Sequence, residues 1–124
     1  MSLSTSRIRR ELRHLETRRR ALLRRLQSLE ELAVGSVSSA DRQCGRPGCH
    51  CAQGAGHPQM QFLFADEEGR RRCKLVRKAD ENRLEQANAR YRAFRDDQRE
   101  LAAIQKRQHE LLMDLMRARG LHYE

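Results

Sequence analysis

The sequence has no tryptophan, and only five of its 124 residues are Phe or Tyr. With a hydrophobic share of 38% and a mean hydropathy of −0.91, it cannot fill a large packed interior. Narrow apolar stripes on helices, or a small element held by metal, are the ways left to order such a chain. No apolar run approaches the ~18 residues of a membrane span. The start, MSLSTSRIRR, lacks the apolar core of a secretory signal. These two absences predict a soluble, cytoplasmic protein. Phosphate-cradling chemistry is missing too, because Gly54-Ala55-Gly56 runs into His57 and Pro58 rather than into a helix. The adjacent acids Glu67-Glu68 and Asp96-Asp97 do not share a helix face and read as solvated. No nucleophile, base and carboxylate are arranged together, so the reading is non-enzymatic.

Lysine is also scarce: Lys74, Lys78 and Lys106 are the only three, and arginine carries the rest of a net charge of +9. A surplus of that size favours a polyanionic partner. It is unevenly spread: +5 over residues 1–40, +4 over 41–78 and zero over 79–124. Both prolines, six of the seven glycines and all four cysteines lie between residues 35 and 78. Regular, charged stretches flank them.

The first stretch carries Ile8, Leu12, Leu15, Leu22, Leu26, Leu29 and Ala33, a heptad seam interrupted by Arg19. It predicts a helix over residues 5–34, stopped by Gly35. The last stretch carries Leu84, Ala87, Tyr91, Phe94, Gln98 and Leu101, then drifts to Ile104, Leu111, Leu112, Leu115 and Met116. It predicts a helix over 80–119 with Asp80 as its N-cap. The expected fold is mainly α: an elongated antiparallel long-helix hairpin, or coiled coil, with residues 41–78 inserted at its tip as a zinc loop and a two-stranded β-hairpin. Pairing residues whose numbers sum to about 117 sets Arg19 against Gln98. It leaves Leu111, Leu112, Leu115 and Met116 overhanging, and a homodimer interface is expected there, with Leu3 and the N-terminal tail as the other cover.

Within the insert, 59–65 and 70–76 read as strands joined by Asp66-Glu67-Glu68-Gly69. Met60, Phe62 and Phe64 share one strand face. Cys73 and Leu75 share a face of the partner strand, and Arg70, Arg72 and Lys74 point the other way. Arg42, Arg46, Arg70, Arg71, Arg72, Lys74, Arg77 and Lys78 form the expected nucleic-acid surface, with Arg46, Arg70, Arg72 and Lys74 leading. DNA is the expected partner and RNA stays open.

The preceding loop contains Cys44, Cys49, Cys51 and His57, spaced C-x4-C-x-C-x5-H among Gly and Pro. Thiolates and an imidazole this close suit tetrahedral Zn2+, and four available ligands suit a closed, structural site. Cys73 is the alternative fourth ligand, and His50, squeezed between two cysteines, the least suited. Release of metal on oxidation of Cys49-His50-Cys51 is a further reading of the same residues.

At this motif the sequence resembles a small uncharacterised family of bacterial and archaeal proteins often encoded beside transposases, a domain of unknown function. Its signature is close to C-G-x-P-x-C-x-C-x-x-G-x-x-H-G-P, matched here by Cys44, Gly45, Pro47, Cys49, Cys51, Gly54, His57 and Pro58. The Gly between His and Pro is missing, and Gln59-Met60-Gln61-Phe62 replaces a Tyr-rich strand. The resemblance favours His57 over Cys73 and implies an association with mobile DNA. The functional expectation is therefore a zinc-stabilised, non-enzymatic DNA-binding accessory protein of a transposon or other mobile element. The competing expectation is a coiled-coil module that docks to a transposase, recombinase or other partner.

Overall fold

The computed structural model describes residues 4–43, 45–49, 54 and 56–124. The chain runs α1 (Thr5–Leu26), β1 (Ser36–Arg42), β2 (His57–Ala65), β3 (Arg71–Leu75), a short 3-10 turn (Lys78–Asp80) and α2 (Glu81–Arg119). The three strands form one antiparallel sheet in the order β1-β2-β3. The residues divide into two compact units, Met1–Leu29 with Phe94–Glu124, and Glu30–Ala93. No helix among the described residues is long and apolar enough to cross a membrane.

The helical unit starts at Ser4, whose Oγ accepts the Arg7 N–H at 3.3 Å and so satisfies one open donor of α1. Arg24 and Arg25 in its last turn complement the helix dipole. The seam is as narrow as the composition requires. Ile8 and Leu22 of α1 are buried, as are Ile104 and Leu111 of α2. Ion pairs flank it: Glu11 accepts from Arg107 at 2.8 and 3.2 Å, and Arg18 donates to Glu100. Both pairs sit at residue numbers summing to 118. The polar pair expected between Arg19 and Gln98 does not form. Gln98 is exposed, Asp97 is the residue turned inward to meet Arg25, and Arg19 bonds Glu16 on its own helix.

The long-helix hairpin with a two-stranded insert is overturned at two places. First, α1 stops at Leu26 instead of reaching residue 34, and Leu29 is wholly exposed. The following segment runs extended because α2 offers it better bonds than another helical turn would. The Ala33 N–H reaches the Ala87 carbonyl at 3.1 Å, and Asn88 Nδ2 donates to the Ala33 and Gly35 carbonyls at 3.0 and 2.9 Å. Arg83 clamps the Glu31 carboxylate at 2.7 and 2.8 Å, and Arg90 Nε donates to the Glu31 carbonyl. Second, the sheet has a third strand. Ser36–Arg42 pairs along β2 from Ser36 opposite Leu63 to Arg42 opposite His57. Gly35 permits this start. A Cβ there would lie 2.2 Å from the Leu63 carbonyl oxygen and 2.9 Å from the Phe62 ring.

In the sheet unit the β2–β3 register sets Phe62 opposite Lys74, Phe64 opposite Arg72, and Leu63 opposite Cys73. Directly opposed residues share a face. Lys74 and Arg72 therefore stand on the aromatic face with Met60, while Leu63, Leu75 and Cys73 lie on the other face, all exposed. Asp80, expected to cap α2, closes the 3-10 turn instead, its N–H on the Arg77 carbonyl at 2.9 Å.

Candidate metal and nucleic-acid site

Arg42 and His57 are paired at the open end of the β1–β2 ladder, so the loop of residues 43–56 leaves and returns at one point. Gly56 makes the return possible: its φ is +93°, and a Cβ would lie 2.4 Å from the Arg42 carbonyl carbon. Within the loop the Cys49 N–H bonds the Arg46 carbonyl at 3.3 Å, a turn through Pro47 and Gly48. The turn brings the Cys49 sulfur to 3.1 Å from His57 Nε2. Cys44, His50 and Cys51 lie outside the described residues, and among the described residues no group of three or more metal-binding side chains occurs. The facing pair still fits zinc by its chemistry. Tetrahedral arms of ~2.3 Å to sulfur and ~2.0 Å to nitrogen put the two ligand atoms about 3.5 Å apart, a few tenths beyond the contact seen.

Cys73 does not join them. It sits opposite Leu63, six positions along β2 from His57, which is roughly 20 Å at 3.3–3.4 Å per residue. Its thiol points to Gln61 Oε1 at 3.7 Å.

The expected basic surface separates into parts. Arg42, Arg46, Arg77 and Lys78 line one groove of about 730 Å³ together with Cys49 and His57. Glu81 is its acidic member, and Arg77 also lies 3.4 Å from Asp80. Arg42, Arg46 and Lys78 make no ion pair among the described residues. Arg70 and Arg72 lie elsewhere, at the hairpin turn, and are engaged there. Asp66 Oδ2 accepts from Arg72 Nε at 2.9 Å, and Arg70 pairs with Glu68. The Asp66 carboxyl is held below its ordinary range, first by the Arg70 backbone N–H and then by the Arg72 side chain. Arg70 and Arg72, expected to lead in DNA contact, thus form ion pairs at the turn with their side chains still 67% and 53% exposed. Arg71 stands on the face with Cys73, and Lys74 on the aromatic face.

A model of one protein family matches residues 12–86, more than half of the chain. Its description is Domain of unknown function (DUF6788). The chain belongs to that family. The DUF6788 match takes in most of α1, the whole three-stranded sheet with its cysteine loop, and the first residues of α2. No curated protein and no solved structure matches the chain.

Sequence reasoning missed β1, the strand that carries Arg42 to Arg77 and Lys78, although it expected these cations on one surface. The one signal was weak: Gly35 and Gly56 bracket a Ser-rich stretch whose only branched apolar residue is Val37. The four expected interface residues also part company. Leu111 is fully buried within the helical unit and is not available to a partner, because its level along α2 matches that of buried Ile8. Leu115 is half-buried, and Leu112 and Met116 are exposed. Leu3, the other expected cover, lies outside the described residues.

Proposed function

We propose that this DUF6788 chain is a zinc-stabilised, non-enzymatic DNA-binding accessory protein, with mobile DNA as its setting. The observation that carries the reading is the groove in which Arg42, Arg46, Arg77 and Lys78 converge beside Cys49 and His57. Cys44, Cys49, Cys51 and His57 would hold the zinc, which supplies a cross-link across the loop and no reaction step. Three of the four cations lie outside any ion pair among the described residues and are free to meet phosphates. Contacts of this kind position a protein on DNA and carry little sequence information.

Binding to a 20-base-pair duplex between 50 and 200 mM salt tests the reading. Four phosphate contacts give a log–log slope of roughly −3.6, or about a hundredfold loss of affinity over that range. The Arg42→Ala/Lys78→Ala double variant reduces the slope by about two. No binding of either duplex or single-stranded DNA at 50 mM salt refutes the proposal. Protein docking is the second reading, favoured by one feature: Leu112 and Met116 stand 53% and 57% exposed on α2. In that reading they pack against a second copy or a recombinase-type partner.

A further inference from the structure

A second groove of about 680 Å³ lies in the sheet unit, between the aromatic face of the sheet and the first turns of α2. Phe62 and Phe64 line it from β2, Leu84 and Ala87 from α2, and Val34 from the connecting segment. The two phenyl rings are half-buried and stacked, 5.2 Å between centroids and 17° from parallel. They make a pre-aligned stack that a third planar ring can extend. Most other charges around the groove are spent. Arg83 is held by Glu31, and Arg77 lies against Asp80. Lys74, opposite Phe62, has no ion pair among the described residues, so an exposed cation stands beside the aromatic wall.

A purely apolar ligand would leave Lys74 without a role, and a phosphate alone would leave the rings without one. A planar base joined to a phosphate uses both. The bases of a duplex are stacked on each other and cannot enter, whereas an unpaired base can. Leu75, Val76 and Arg77, at the exit of the edge strand β3, line this groove and the basic groove alike, so the two adjoin there. We propose that the Phe62–Phe64 groove takes an unpaired base of a single-stranded nucleic acid whose phosphates run onto Arg42, Arg46 and Lys78. This rests on the reading of the basic groove as a nucleic-acid surface, and it adds that the favoured form is single-stranded.

Fluorescence anisotropy on the full chain at 50 mM salt, with a 12-nucleotide thymidylate strand, the matching uridylate strand and a 12-base-pair duplex, tests it. The expected result is tighter binding of a single strand than of the duplex by about tenfold, the scale of one stacked base. Phe64→Leu removes that advantage and leaves duplex binding unchanged. Lys74→Ala, at an exposed position, weakens single-strand binding severalfold. Stronger binding of the uridylate strand assigns the groove to RNA, and of the thymidylate strand to DNA. Equal affinity for single strand and duplex, unaltered in Lys74→Ala, overturns this inference while leaving the basic groove in place. That comparison decides the matter even if Phe64→Leu fails to fold. Absence of binding to all three probes overturns both proposals.

Discussion

Asn88 is the side chain on which the sheet unit's attachment to α2 turns. It is 5% exposed, and its amide nitrogen serves two carbonyls at once, those of Ala33 and Gly35. Asn88→Ala removes both bonds and leaves two acceptors behind. The Ala33 carbonyl belongs to a buried residue and has no ready route to water, whereas Gly35 is only half-buried. Two net hydrogen bonds of about 1 kcal/mol, plus part of one carbonyl's desolvation, come to roughly 3 kcal/mol. Alanine returns about 0.5 kcal/mol in helix propensity. A net loss of about 2.5 kcal/mol lowers the urea midpoint by roughly 1 M or more at slopes of 1–3 kcal/mol per M. Urea titration followed by far-UV circular dichroism measures it, and hydrogen exchange at the Val37 amide reports whether β1 loosens first. Asn88→Asp is expected to be worse than alanine, since a carboxylate has only acceptors to turn towards two carbonyls. A midpoint for Asn88→Ala equivalent to less than 0.5 kcal/mol of wild type refutes this account of how the connector is held.

Gly35→Ala drives a methyl into the Leu63 carbonyl oxygen, a backbone atom 2.2 Å away, so the variant loses the sheet's cooperative melting in circular dichroism while the helical signal survives. Acid weakens the helical unit. Hydrogen bonds from Arg19 and then Gln108 pull Glu16 from 4.5 down to about 2, and Arg107 and Arg18 pull Glu11 and Glu100 the same way. A depressed folded value means the stabilisation is complete above the unfolded value and is lost as pH falls through the folded one. The melting temperature should therefore hold above about pH 5 and fall between 4.5 and 2, less steeply in Glu16→Gln. Metal analysis of the purified chain should give one zinc per molecule, and His57→Ala should lower that occupancy while Cys73→Ser leaves it at one. Sedimentation of Leu112→Glu/Met116→Glu against wild type tests the second-copy reading of α2: an unchanged mass excludes it.

The helical seam was legible because burial of Ile8, Leu22, Ile104 and Leu111 needs only the periodicity that the sequence displays openly. Its far end was not, because Leu29 and Ala33 continue the same period. What ends α1 is a competition invisible to periodicity: Asn88 and Ala87, over 50 residues away, offer the segment hydrogen bonds in extended form. The β2–β3 hairpin was legible through Gly69 and alternation. β1 was not, because an edge strand with an exposed face can be built from Ser, Ala, Asp and Arg, and its stability comes from pairing with β2. The candidate ligands were readable as a spacing, and of these the described residues bring Cys49 and His57 side by side. At Arg70 and Arg72 the composition counts charges without showing that Asp66 and Glu68 sit within reach of them.

The two ends of the β1–β2 pair in the sheet unit are fastened differently. The unit's buried side chains among the described residues are Ala33, Met60, Ala87 and Asn88, too little apolar surface to order about 60 residues by itself. The Gly35 end of the β1–β2 pair is tied to α2 by Asn88. The Arg42–His57 end is tied, among the described residues, by the ladder and by the meeting of Cys49 with His57. Beyond that end stretch fourteen residues rich in glycine, whose ordering costs conformational entropy that no buried side chain of the described residues repays. On the proposed function, a tetrahedral ion would order such a loop without a core, where Arg42 and Arg46 meet Arg77 and Lys78 in the groove. Fastening and binding then depend on the same event. Chelation should abolish salt-sensitive DNA binding before it melts the helical unit, and simultaneous loss of both would show that the loop does not act on the groove alone.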